Sequence, residues 1–224
     1  MKYVVSDLHG EYGLFVKLLK LINFSSSDQL YVCGDIIDKG AESVRLAKLL
    51  FSMPNAKCIA GNHELAFLTH YWVLMKETED FDGVLSQLQS YFSDGHLLDW
   101  KTVDAIESLP YFIEEEGFIC VHAGIPLDAQ GRLTPLDSVT EKQFVFDRTF
   151  KEPFSLPKDG KCVFFGHTPT NYITGKSEII TYPKNSNPRS IKDYYKIHLD
   201  TGTWLDGVLG CFCVDTCKKY YVKK

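Results

Sequence analysis

The chain has 224 residues, 45% hydrophobic and 13% aromatic, enough for one sizeable core, so a single domain over 1–224 carrying a small cap is expected. A net charge of −5, with no basic run longer than the Lys223-Lys224 pair, argues against general nucleic-acid binding, where a cationic face supplies most of the affinity. No apolar segment approaches the roughly 18 residues of a membrane span and no charged leader precedes the first apolar run, so neither a membrane anchor nor a signal peptide is expected.

Residues 2–6 read as a buried strand, followed by the loop Asp7-Leu8-His9-Gly10 and a helix with Leu14, Phe15, Leu18, Leu19 and Ile22 at helical spacing. After the turn cluster Ser25-Ser26-Ser27-Asp28, residues 29–33 form a second strand. The loop over 34–40 then leads into a helix carrying Val44, Leu46, Ala47, Leu49 and Leu50, which Pro54-Asn55 breaks. Residues 57–60 are a third strand, and the loop Gly61-Asn62-His63-Glu64 opens a helix through Leu65, Phe67 and Leu68. Three strand–loop–helix units predict a parallel sheet with helices packed on it, and in such sheets ligands gather beyond the carboxyl ends of the strands. All three polar loops fall at those ends.

Residues 69–109 read as helical and acidic, with Glu77, Glu79, Asp80, Asp82, Asp94, Asp99 and Asp104. A helical cap beside the site is expected there, with ordinary packing helices presenting a solvated charged face as the alternative. Residues 111–115 and 118–121 read as a hairpin around Glu116-Gly117, ending in His122-Ala123-Gly124. A short helix is expected over 139–150, carrying Asp147-Arg148, and a loop over 153–160. Residues 162–165 form a strand ending in Gly166-His167-Thr168, and 179–182, 194–199, 208–214 and 219–222 read as antiparallel strands joined by turns. The parallel first half and meandering second half predict an α/β fold, α+β in some schemes, of two mixed sheets stacked face to face with helices outside.

The seven cysteines are an odd number, and Cys33, Cys58, Cys120 and Cys162 lie in apolar runs as small buried hydrophobes do. They read as reduced, in a cytoplasmic protein. Cys211, Cys213 and Cys217 lack a second pair at structural-zinc spacing, and Cys211 and Cys213 are expected to share one face of a strand.

The loops supply Asp7, His9, Asp35, Asn62, His122 and His167. Carboxylate, imidazole and amide oxygen suit divalent ions such as Mn²⁺, Fe²⁺ or Zn²⁺. Two ions need a bridging carboxylate, and Asp35, on the middle of the first three loops, is the candidate. Asp7 and His9, two apart, would turn to one ion, and Asn62, His122 and His167 would hold the other. Such ions, roughly 3.5–4 Å apart, share a water and lower its pKa, giving a hydroxide near neutral pH. His63, expected to face away from the metals, could protonate the leaving oxygen as general acid, with Asp38 orienting its ring. Asp38 could instead cap the helix that follows.

With these motifs in this order, the sequence resembles the calcineurin-like metallophosphoesterases, and more closely the phosphoprotein phosphatase group in its small bacterial and bacteriophage form. The motifs are Asp7-Leu8-His9-Gly10, Gly34-Asp35-x-x-Asp38-Lys39-Gly40, Gly61-Asn62-His63-Glu64, His122-Ala123-Gly124 and Gly166-His167-Thr168. The resemblance implies a four-layer αββα sandwich. It implies two metals, usually Mn²⁺ with Fe or Zn as alternatives, held at Asp7, His9, Asp35, Asn62, His122 and His167. It also implies an acid pair of His63 and Asp38, and hydrolysis of phosphomonoesters. Arg148 resembles the family's phosphate-binding arginine. Lys39 stands where most relatives carry Arg, keeping the charge but losing the bidentate fork, and Ala60 stands where some phage-type relatives carry Arg.

The first expectation is a serine/threonine protein phosphatase acting on a phosphoprotein. The alternative is a symmetrical diadenosine polyphosphate hydrolase or another enzyme acting on a small phosphoester. Those relatives commonly carry Asp where this chain has Glu64, which tilts the sequence reading toward the phosphatase. Glu64 itself reads as a helix cap rather than a metal ligand. Asp200-Thr201-Gly202 reads as a turn packing near the site, and His198 as structural. A metal-dependent binding protein without turnover is the reading from another class. The oligomeric state is left open by the sequence.

Overall fold

Alternation along single strands decides how the layers stack. In the computed structural model, Tyr3 and Val5 of β1 (Lys2–Val5) point into one buried cluster and Val4 into another. The same period of two recurs in β5 (Phe118–Val121), where Phe118 and Cys120 face one way and Ile119 and Val121 the other. It recurs again in β6 (Cys162–Phe165), with Cys162 and Phe164 set against Val163 and Phe165. Strands that are apolar on both faces must be covered on both. The result is three apolar layers between four layers of structure. Described are residues 1–92, 94–154, 156, 160–183 and 187–224; of the loop expected over 153–160, residues 155 and 157–159 lie outside them.

The first sheet has the order β10-β9-β1-β2-β3, where β9 is Val208–Cys213 and β10 Lys219–Lys223, with β2 (Gln29–Val32) parallel to β1 and β3 (Ala56–Cys58) parallel to β2. Its outer face is covered by α1 (Tyr12–Leu21) and α2 (Ser43–Ser52), through Leu14, Phe15, Leu18, Val44, Leu46 and Leu50. The acidic segment supplies the end of α3 (Asn62–Glu77), then α4 (Phe81–Gln89) and α5 (Trp100–Glu107). Val84, Leu88, Val103 and Ile106 join the same cluster. Asp80 and Asp99 cap α4 and α5, accepting from the Gly83 and Thr102 N–H groups. Asp94 accepts from Val44 N–H at 2.7 Å, at the start of α2. Three of the acidic side chains are therefore helix caps, not only a solvated face.

The second sheet has the order β4-β5-β6-β8-β7, where β4 is Phe112–Glu114, β7 Ile180–Tyr182 and β8 Lys196–His198. The hairpin of β4 and β5 forms as expected. The meander expected in the second half does not. Strand β8 pairs with β6 in parallel, and β9 (Val208–Cys213) crosses to the first sheet to pair antiparallel with β1, carrying β10 (Lys219–Lys223) with it. Phe118, Phe164, Phe212 and Ile197 fill the layer between the sheets, each fully buried side chain contributing about 1.5–3 kcal/mol. The outer face of the second sheet is covered by α6 (Glu141–Phe146) through Phe144 and Val145. This helix is shorter than the sequence spacing predicts: Thr140 caps its start, and the chain is extended by Asp147, so Arg148 lies in the loop beyond it.

All seven cysteines are free thiols. Cys211 and Cys213 share one face of β9, while Cys217 packs in the cluster between the sheets, so the three do not converge. No described helix is long and apolar enough to cross a membrane.

Candidate metal centre

The carboxyl ends of β1, β2, β3, β5 and β6 meet at one edge of the sandwich. Backbone hydrogen bonds stitch their loops together: Asp7 N–H to Gly34 C=O, His9 N–H to Asp35 C=O, Gly10 N–H to Ile36 C=O and Gly166 N–H to His122 C=O. Asp7, His9, Asp35 and His167 all take positive φ, between 45° and 71°. A non-glycine residue in that region costs about 1–3 kcal/mol and persists only where its surroundings hold it. Here the strain turns four polar side chains inward. Close approach also explains two glycines: a Cβ on Gly61 would collide with the Asp35 carboxylate, and one on Gly166 with Asp7 and Ser6.

The structure brings together all six residues expected to hold metal. His122 Nε2 lies 3.4 Å from Asp35 Oδ1, and His9 Nε2 lies 3.5 Å from Asp35 Oδ2. Asn62 Oδ1 faces both His122 Nε2, at 2.9 Å, and His167 Nδ1, at 2.8 Å. His167 N–H donates to the Asp7 carboxylate at 3.2 Å. Two tight groups emerge, Asp7 with Asp35 and His122, and His9 with Asp35 and His63, the ligand atoms of each lying within 4.8 Å of one another. Asp35 belongs to both. Asp7 thus groups with His122, whereas His9, expected to share its ion, groups with His63.

Outer contacts fix the rings. His122 Nδ1 donates to Cys33 C=O at 2.9 Å, which leaves Nε2 as the lone-pair nitrogen facing Asp35. Burial, then the neighbouring His167, holds the His122 imidazole well below its ordinary range. Burial and the Lys39 ammonium do the same to His9. Burial and the Arg148 charge lower His167 to about 4. Burial and Asp35 push the Asp7 carboxyl up, and burial and Glu64 push up Asp35. Neutral imidazoles with free lone pairs around two crowded carboxylates are what a divalent cation requires. His167 Nε2 is buried with no partner among the described residues. The donor set therefore fits a pair of divalent ions.

His63 departs from its expected direction. Its Nδ1 lies 2.7 Å from Asp38 Oδ2, and its Nε2 turns toward the centre, 3.8 Å from Asp35 Oδ2. Among the described residues the Asp38 side chain makes no capping bond to α2; the Asp38 N–H donates to Ser43 Oγ at 3.0 Å. Lys39 places Nζ 3.3 Å from His9 Nε2, at the mouth of the site. Arg148 is exposed, close enough for its charge to act on His167, and pairs with no carboxylate among the described residues.

Glu64 explains how the central loop is held. Its carboxylate is fully buried and accepts from four backbone N–H groups: Asp35 and Ile36 at 2.8 Å, Ile37 at 3.1 Å and Gly61 at 2.7 Å. It locks the second motif to the third and faces no open space.

The sequence reading passed over Ser6 and Trp204, and took Asp200 only as part of a turn packing near the site. Ser6 Oγ bonds the Asp7 carboxylate. Asp200 is buried at the end of the third parallel strand of the second sheet, beside His9, Lys39 and His167. It follows a strand end with glycine two residues on, a weaker form of the signal that marked the other loops. Trp204, two residues past Gly202, carries no such signal.

A symmetrical bis(5'-nucleosyl)-tetraphosphatase from Pseudomonas putida is 31% identical over 126 residues, 55% of this chain and 42% of that protein. One from Buchnera aphidicola is 32% identical over 127 residues, 55% and 44% of the two chains. The match spans less than half the length of these relatives. Among solved structures, a candidate diadenosine tetraphosphatase superposes with a TM-score of 0.70 at 19% identity, covering 99% of this chain and 92% of that one. A Saccharomyces cerevisiae serine/threonine phosphatase with similarity to human PP5 superposes at 0.52 and 14% identity, covering 100% and 79%. At such identities these likenesses speak to the fold. The family model for calcineurin-like phosphoesterases matches residues 3–199, and the chain belongs to that family.

Proposed function

We propose that this chain is a two-metal phosphohydrolase that cleaves the central phosphoanhydride of small nucleotides of the bis(5'-nucleosyl) tetraphosphate class. The observation that carries the chemistry is Asp35, whose Oδ1 faces His122 and whose Oδ2 faces His9, with the His63–Asp38 pair turned toward it. Asp7, His9, Asp35, Asn62, His122 and His167 would hold the ions, and Mn²⁺ suits this oxygen and nitrogen set. When bound, the two cations polarise water and neutralise phosphoryl oxygens. The chain's own groups do the rest. His63, fixed by Asp38 through Nδ1, presents Nε2 to give the leaving oxygen its proton. Lys39 and Arg148 offer positive charge to the phosphates at the mouth. Residues 1–224 would act as one domain, with 69–109 forming a cap.

Two considerations move the substrate from a phosphoprotein to a nucleotide. The curated relatives reported above are tetraphosphatases. The residue that tilted the sequence reading toward protein substrates, Glu64, is buried against four backbone N–H groups, so its identity bears on loop support and not on what enters the site. The test is a parallel assay of the Mn²⁺-loaded protein on diadenosine tetraphosphate and a phosphoserine peptide. The reading expects a higher kcat/KM for the nucleotide, with one water consumed and two ADP released. Preference for the peptide would restore the protein phosphatase reading.

A further inference from the structure

A large aromatic ring stands exposed on a rigid turn beside the centre. Trp204 is 46% exposed, and the turn around it is tied down at both ends. Thr201 Oγ1 accepts from Gly210 N–H and donates to Val208 C=O, both at 2.8 Å. Thr170 N–H donates to Asp200 C=O at 2.8 Å, and Asp206 N–H to Gly202 C=O at 2.7 Å. Asp206 Oδ2 in turn accepts from Asn171 and Ser177, each at 2.7 Å. An indole on a floppy loop would need no explanation, since single exposed apolar residues are ordinary. This one is held in place.

What it faces is specific. The ring helps line a small cavity of about 40 Å³ together with His9, Lys39, His167 and Asp200. The Lys39 ammonium lies 5.7 Å from the indole centroid and 3.3 Å from His9 Nε2. One cation therefore links the aromatic face to the metal-facing imidazole. A phosphate drawn to Lys39 would carry the group attached to it onto the indole. Leu205, 42% exposed, extends the same apolar edge. An anion joined to a flat, polarisable ring matches this arrangement of charge and aromatic surface.

We propose that Trp204 is the nucleobase platform of this site, stacking the base of a 5'-nucleotide whose phosphate is held at Lys39. This rests on the nucleotide reading given under Proposed function. Stacking of one base on one aromatic side chain changes affinity by about 5- to 100-fold, and it tolerates different bases because each has a π face.

The experiment compares binding of AMP and ribose 5-phosphate, which share a phosphate and a sugar and differ in the base. Both are titrated by calorimetry into Mn²⁺-loaded wild type, Trp204→Ala and Trp204→Phe, with metal content measured in each. The wild type is expected to favour AMP by about 5-fold or more, Trp204→Ala to lose most of that ratio, and Trp204→Phe to keep most of it. AMP, and not ribose 5-phosphate, should quench the wild-type tryptophan fluorescence, and Trp204→Phe should lose the quench. An equal preference in wild type, an unchanged ratio in Trp204→Ala, or a parallel fall for both ligands would each overturn the platform. The wild-type hydrolysis assay separates the two claims. Failure to cleave diadenosine tetraphosphate with the AMP preference intact removes the substrate reading alone, whereas cleavage without a base preference removes the platform alone.

Discussion

Replacing Glu64 by alanine tests how the centre is built. The carboxylate serves the N–H groups of Asp35, Ile36, Ile37 and Gly61. Each buried donor left without an acceptor costs about 1–3 kcal/mol, so four come to roughly 4 kcal/mol at the low end. Two effects reduce that sum. Water can follow into the space left behind, and Asp35 loses the carboxylate that pushes its own pKa up. A loss of about 3 kcal/mol is expected, in the range of broken buried networks. Glu64→Gln should fall between, because its one carbonyl oxygen still accepts while its amide group confronts N–H donors. The assay is urea unfolding of EDTA-treated protein, read as a fall in midpoint at constant m, with Mn²⁺ affinity measured alongside. Since Asp35 rides on the loosened loop, Mn²⁺ should bind more weakly in both variants. A stability loss in Glu64→Ala below about 1 kcal/mol, with metal affinity unchanged, would refute the claim that Glu64 holds the loop.

Gly61→Ala drives a Cβ into the Asp35 carboxylate and should abolish or strongly weaken metal binding, measured by calorimetry, while far-ultraviolet circular dichroism stays near wild type. His63→Asn should keep its metal and lose about 10²–10⁴-fold in kcat, the span of general acid catalysis. Asp38→Asn should lose less, because the ring remains but its partner no longer carries charge; equal metal content with unchanged turnover in His63→Asn would take His63 out of the mechanism. Metal affinity should rise with pH above the ordinary carboxylate value of 3.8, since burial raises Asp7 and Asp35 and each must lose its proton before a cation enters. The lowered imidazoles are already neutral at neutral pH and release nothing. Calorimetry in two buffers of different ionisation enthalpy should therefore find proton release on Mn²⁺ binding, growing toward low pH, and proton uptake would contradict it.

Strand ends were the legible part of this sequence. These parallel strands are short apolar runs, each followed within a few residues by glycine together with Asp, Asn or His, so the loops at 7–10, 34–40, 61–64, 122–124 and 166–168 declared both the topology and the site. The second half was less readable because pairing is set by partners distant in the chain. Residues 194–199 and 208–214 look alike as apolar runs, yet β8 lies beside β6 in one sheet and β9 beside β1 in the other. Nothing local states which edge is open. Lys196 is a similar case. Its side chain is fully buried, with Nζ donating to Phe150 and Glu152 C=O at 2.6 Å over the Phe154 ring, a cage assembled only by folding. Trp204 was missed because an exposed aromatic has no periodicity to betray it. Glu64 was read as a cap, but its reach to three residues of another loop depends on the two parallel strands lying side by side.

Whether Asp35 joins two ions is the question on which the account turns. Electron paramagnetic resonance of the purified chain, titrated with Mn²⁺ and read beside metal content, answers it directly. Two Mn²⁺ per chain with the multiline spectrum of an exchange-coupled pair is the predicted result, collapsing in Asp35→Asn. A single uncoupled six-line signal, or less than one bound ion at saturation, would contradict the dinuclear centre.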